Sequence, residues 1–164
     1  MTLNARVATA PEDSPERAGA PDPNSLGFLV NDVARLLRLG FAGEVTAAGL
    51  ELTGGEARAL VHAVAASGAR QTEIAERMGV EPMTLCGYVD KLETRGLVER
   101  QPHPGDRRAK RIVPTDGAGE ALDVIMPLAR KVIDEAMEGV PEEDVAALRR
   151  TLEHMRARLM KPAG

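Results

Sequence analysis

From Gln71 to Thr115 the chain reads QTEIAERMGVEPMTLCGYVDKLETRGLVERQPHPGDRRAKRIVPT, and no other stretch restricts the fold as tightly. Ile74, Ala75 and Met78 fall at helical spacing, and Gly79-Val80 supplies the small residue and trailing hydrophobe that close a helix. Pro82, with a fixed φ and no N–H, suits the first position of a second helix, and Glu81 before it can bring a carboxylate to that helix's positive end. The connection between the two helices is therefore a tight turn. In the second helix Leu85, Val89 and Leu92 recur at steps of four and three, which predicts that Thr84, Gly87, Tyr88, Lys91 and Arg95 turn away from the core toward a partner or solvent.

After Gly96, Leu97-Val98-Glu99-Arg100 is short and β-leaning, and Lys110-Arg111-Ile112-Val113 can answer it across Pro102-His103-Pro104-Gly105-Asp106. Two closely spaced helices followed by a hairpin predict a winged helix-turn-helix, a mainly α fold with a small β-wing. From Arg100 to Arg111 there are five positive residues and one acid, Asp106, in a chain whose formal net charge is −4. On its own a basic run of this kind is a solvated turn. Beside a helix-turn-helix it predicts something anionic at the hairpin tip.

With 164 residues and 43% hydrophobic composition the chain can bury one core, so a single domain over residues 25–164 is expected. Residues 1–24 hold Pro11, Pro15, Pro21 and Pro23 among small and charged residues, the composition of a flexible tail. From Leu26, the positions Leu29, Val30, Val33, Leu36, Leu37 and Phe41 carry a helical period that weakens at Gly40 and Gly43. Thr53 and Glu56 fit a capping box ahead of Ala57, Leu60, Val61 and Val64. Beyond the hairpin, Thr115 can cap a helix with Leu122, Ile125, Ala129, Val132 and Met137 on one side, bent by Pro127 and ended by Gly139. Pro141 opens a last helix in which Val145, Leu148, Leu152, Met155 and Leu159 form a coiled-coil seam. Such a seam can cover its own core. With a second apolar stripe through Leu29 and Val33, the simpler expectation is pairing of both regions, about 26–45 and 117–160, with their copies about a two-fold axis. They flank a winged module at about 53–115.

The EIAERMGV segment, the GLVER run from Gly96 to Arg100 and the DRRAKRI run from Asp106 to Ile112 resemble the MarR family of bacterial transcription regulators, its SlyA-type members above all. The resemblance covers roughly residues 26–160. It implies a homodimer on a pseudo-palindromic operator in double-stranded DNA, with the second helix of the motif in the major groove and the wing in the minor groove. Carried over by position, Asp106 orients the wing arginine and Arg108 enters the groove, a sensible use of a weakly hydrated cation where negative potential is concentrated. Arg107, Lys110 and Arg111 serve phosphates or stay in water. On the reading helix Met83, Thr84, Gly87, Tyr88 and Lys91 are the candidate contacts, with Met83 suited to a thymine methyl. Gly87 departs from the pattern, since many relatives carry an arginine there. The resemblance also implies a repressor released by a small aromatic or phenolic anion, held in a cleft near His62 and Arg100, although ordinary packing or ion pairing accounts for both residues as well.

The remaining classes have little behind them. The lone Cys86 excludes an intrachain disulfide and, although some family members are thiol switches, a lone cysteine is more often a small buried hydrophobe. His62, His103 and His154 lack metal-ligand spacing, and neither a nucleophile motif nor a phosphate-binding glycine loop is present, so no metal, cofactor or catalysis is expected. Neither a secretory leader nor a membrane-length apolar run is apparent, and a cytoplasmic protein is expected. The competing class is a winged helix whose basic face docks a protein.

Overall fold

In this computed structural model residues 22–160 are described, the side chains of Arg107 and Arg108 excepted, and they form α1 (Leu26–Ala47), α2 (Gly54–Ala65), α3 (Gln71–Met78), α4 (Pro82–Thr94), β1 (Val98–His103), β2 (Asp106–Pro114), α5 (Gly117–Ala136) and α6 (Glu142–Leu159). The mainly helical architecture with a two-stranded wing is the one expected. Most of the tail expected at 1–24 lies outside the described residues.

The chain divides after Arg35 into two units. In the first, the opening turns of α1 are held by local bonds, among them Arg35 to Asp32 at 2.9 Å, while Leu29 and Val33 are exposed. In the second, α1 runs on through Gly40 and Gly43 to Ala47, longer than its glycines suggested. The physical reason is burial: Phe41 and Val45, four apart, enter the core, and each full burial is worth about 1.5–3 kcal/mol against about 1 kcal/mol for a helical glycine. Gly40 also admits α5, since a Cβ there would stand 3.1 Å from Val132 Cγ1.

The capping box forms as expected: Glu56 N–H donates to Thr53 Oγ1 at 3.2 Å and Thr53 N–H donates to Glu56 Oε2 at 2.9 Å. It fixes the start of α2, whose Ala57, Leu60 and Ala63 join Ile74, Leu85, Val89, Leu92, Val98, Ile112 and Ile125 in one core. At the end of α3, Gly79 takes φ +64, and its N–H reaches back to the carbonyls of Ala75 and Glu76. Pro82 opens α4, though Glu81 before it makes no capping bond with its side chain.

The wing is longer than predicted. Register pairs run from Val98 with Pro114 to Pro102 with Lys110, then shift to His103 with Asp106, so only Pro104 and Gly105 are left to turn. Pro102 fits because β1 is an outer strand with no neighbour to receive an N–H. The opposite edge of β2 is tied down, since Gly68 N–H donates to the Ile112 carbonyl and Ile112 N–H to the Ala69 carbonyl. Thr115 does not cap α5. Its hydroxyl donates to the Gly96 carbonyl, and Asp116 takes the cap position without a side-chain bond. In α6 no residue is buried: Val145 and Met155 are half-buried, while Leu148, Leu152 and Leu159 are exposed, so the seam is uncovered within one chain.

Candidate nucleic-acid interface

Burial of Leu85, Val89 and Leu92 fixes which side of α4 looks outward. Thr84, Gly87 and Lys91 lie on that side, and Met83 is 82% exposed. A Cβ at Gly87 would meet nothing within 4 Å, so no packing inside the chain asks for glycine there. Tyr88 departs from the expectation. It is half-buried on the core, lying over α2 where Gly55 makes room: a Cβ at Gly55 would come within 2.5 Å of Tyr88 Cζ. The ring therefore fixes α4 against α2, and its outer edge alone is available to a partner.

The wing stands beside this face. Asp106 and Lys110 are exposed, and the side chains of Arg107 and Arg108 lie outside the described residues. Arg111, expected in water or on phosphate, instead turns inward. Its Nη2 donates to Gln101 Oε1 at 2.8 Å, and its buried Nε has no partner among the described residues. A groove of about 410 Å³ runs between the start of α3 and the wing, lined by Arg70, Gln71, Thr72, Ala109 and Lys110. The sequence reading missed Arg70 and Thr72, although their place at the N-terminus of a helix beside a basic hairpin was a usable signal.

Arg100 does not line this groove or the cleft at His62. Its guanidinium is a clasp between β1 and α4, donating to Asp90 and Glu93 at 2.6 Å each and to the Cys86 carbonyl at 3.3 Å. It also approaches Gln71 Oε1 at 3.4 Å and Cys86 Sγ at 3.8 Å. Burial works against its charge, but the bonds to Asp90 and Glu93 outweigh that and raise its pKa. Glu93 is lowered in return, first by the backbone N–H of Arg100 and then by the guanidinium. Of the two accounts expected for Arg100 this is ion pairing, because both acids sit late in α4, within reach of the strand that follows. Cys86, half-buried under the clasp, is the free cysteine of the chain.

His62 does line a cleft. A space of about 240 Å³ opens among Leu37, Phe41, Val61, Met126, Val132 and Ile133, with Arg38, Arg58 and His62 as its polar lining. The lining holds no acid. Burial lowers the pKa of His62, and the nearby charges of Arg58 and Arg77 push the same way. Arg58 is lowered by burial and then by Arg38, with Tyr88 acting in the opposite sense. Apolar walls with convergent cations suit an amphipathic anion. Arg58 was legible in the sequence, four residues from His62 and thus on the same face of α2. Among the described residues no group of His, Cys, Asp and Glu could hold a metal, and no helix is long and apolar enough to cross a membrane.

A family model described as the MarR family matches residues 52–110, from the approach to α2 as far as Lys110 in the wing. Among solved structures, a MarR-family transcriptional regulator from Rhodococcus sp. RHA1 is 29% identical with a TM-score of 0.71, over 84% of this chain and 96% of that one. CouR from Rhodococcus jostii RHA1, crystallised bound to p-coumaroyl-CoA, is 31% identical with a TM-score of 0.65, over 80% of this chain and 92% of its own. The transcriptional regulator SlyA is 25% identical with a TM-score of 0.69, over 83% and 94%.

Proposed function

The chain belongs to the MarR family of transcriptional regulators, and from that premise we propose that it is a cytoplasmic, homodimeric, sequence-specific reader of double-stranded DNA that represses until a small aromatic anion is bound. The observation that carries the DNA-binding reading is the outward face of α4, with Met83, Thr84, Gly87 and Lys91 exposed beside a basic wing in an acidic chain. In the proposed complex α4 enters the major groove and Arg108, oriented by Asp106, enters the minor groove, while Arg107 and Lys110 meet phosphates. The tip of Tyr88 contributes at the edge of α4. The uncovered α6 seam of Val145, Leu148, Leu152, Met155 and Leu159 supports pairing of two copies, which sets two reading helices about 34 Å apart.

The effector reading rests on the acid-free cleft of Arg38, Arg58 and His62. CouR binds an aromatic acyl thioester of coenzyme A, and salicylate and p-coumaroyl-CoA are therefore suitable probes. The test is protection of DNA from upstream of the protein's own gene. Two protected half-sites about 10 base pairs apart, lost on addition of a probe, are expected, and Arg108→Ala should weaken binding by about 1–3 kcal/mol. Uniform protection without half-sites, or none, would remove sequence-specific reading.

A further inference from the structure

Arg58 belongs to two places at once. It lines the cleft, and its Nη2 donates to the carbonyl of Met78 at 3.2 Å. Met78 ends α3, so its carbonyl is among the last four of that helix, which have no partner inside it and carry the negative end of the helix dipole. The two N–H groups of the following turn are spent elsewhere: Gly79 donates to Ala75 and Glu76, and Val80 to Ala75. Among the described residues Arg58 is thus the donor that closes the C-terminal end of α3, three residues before the Glu81 that precedes α4. This is the only hydrogen bond its guanidinium makes among the described residues.

We infer that Arg58 is the residue through which occupancy of the cleft reaches the helix-turn-helix, by exchanging its bond to Met78 for one to the bound anion. This rests on the proposal that the cleft takes an anionic effector. A carboxylate or phosphate accepts about twice as strongly from a guanidinium as a neutral carbonyl does, so the anion wins the competition. Burial and the neighbouring Arg38 already disfavour the charge on Arg58, and an anion between the two relieves both. The Met78 carbonyl is then left without its donor, and the turn that aims α4 loosens.

The test uses the full chain, salicylate and p-coumaroyl-CoA as probes, and Arg58→Met beside Arg38→Met. Arg38→Met removes a cation from the same cleft and leaves the Met78 bond in place. Probe-free Arg58→Met should bind the operator as weakly as probe-saturated wild type does, within about twofold, and should weaken no further with probe. Probe-free Arg38→Met should bind DNA as wild type does and need more probe for release. In wild type, amide exchange across Gly79–Glu81 should quicken when the probe is bound, a readout that does not depend on the fold of any variant. Wild-type DNA affinity in probe-free Arg58→Met, or exchange at Gly79–Glu81 unchanged by a probe that does release DNA, would overturn the inference while leaving the effector reading intact. Failure of both probes to bind wild type would overturn the effector reading, and this inference with it.

Discussion

Replacing Arg100 with Met keeps the aliphatic stem and removes the guanidinium that fastens the wing to the reading helix. The side chain of Arg100 is 19% exposed, but its partners Asp90 and Glu93 are 60% and 41% exposed, so each ion pair is discounted to about 0.2–1 kcal/mol. The bond to the Cys86 carbonyl adds about 1 kcal/mol, and the long approach to Gln71 adds little. Arg100→Met should therefore destabilise the fold by about 2 kcal/mol, a Tm shift of about 4–8 °C for a chain of this size. Glu93, lowered by its bonds to Arg100, favours the folded state above the ordinary glutamate range. That contribution is lost as pH falls through its lowered pKa, so the gap between wild type and variant should narrow in acid. DNA affinity should fall further than stability alone explains, because two uncompensated carboxylates then lie on α4 beside Lys91. Thermal melts over a pH series, with DNA affinity in parallel, make the test. Equal melting temperatures for the two proteins at neutral pH would refute the clasp. So would unchanged DNA affinity.

Three further outcomes are expected. Gly87→Ala should stabilise α4 by about 0.5–1 kcal/mol, since a Cβ there meets nothing, while weakening DNA binding if the helix backbone approaches the duplex; a melt and a DNA titration of the same variant separate the two effects. His62, held below its ordinary value of 6.5, binds a proton more readily in the unfolded chain, so stability should fall as pH drops from about 6.5 toward its lowered value. His62→Gln should flatten that part of the wild-type Tm profile, and probe binding should take up a proton in this window, measurable by calorimetry in two buffers. Leu152→Asp combined with Met155→Asp places charge on the uncovered α6 seam and should give monomers or insoluble protein; a wild-type monomer in sedimentation at micromolar concentration would refute the dimer.

Local chemistry made much of the fold legible. Thr53 with Glu56, Gly79 and Pro82 each encode a boundary through a bond or a dihedral of their own, and the structure has all three. Where the deciding partner is distant in sequence, the reading failed. Periodicity set Tyr88 outside, but it stands only about 60° around the helix from Leu85, and the absence of a side chain at Gly55 draws it inward. For Arg100 the ion-pairing account is the one found, since Asp90 and Glu93 on the preceding helix lie within its reach. Helix α1 outran its glycines because Phe41 and Val45 have a core to enter, which no local propensity records. The cleft is half legible: His62 stands out and Arg58 lies four residues before it on the same face of α2, whereas Arg38, on α1, joins them only in the folded chain.

The most direct test is a salt titration of wild-type protein on its upstream DNA beside a scrambled duplex of equal length. If α4 and the wing grip the duplex, log K should fall with log salt at a slope of about −0.9 for each phosphate neutralised. A dimer using Lys91, Arg107, Arg108 and Lys110 from each copy neutralises eight phosphates and should reach a slope of about −7. The upstream duplex should bind at least about 10³-fold more tightly than the scrambled one at every salt concentration. A slope near zero, or equal affinity for the two duplexes, would contradict a DNA-reading role and leave the basic face to a protein partner.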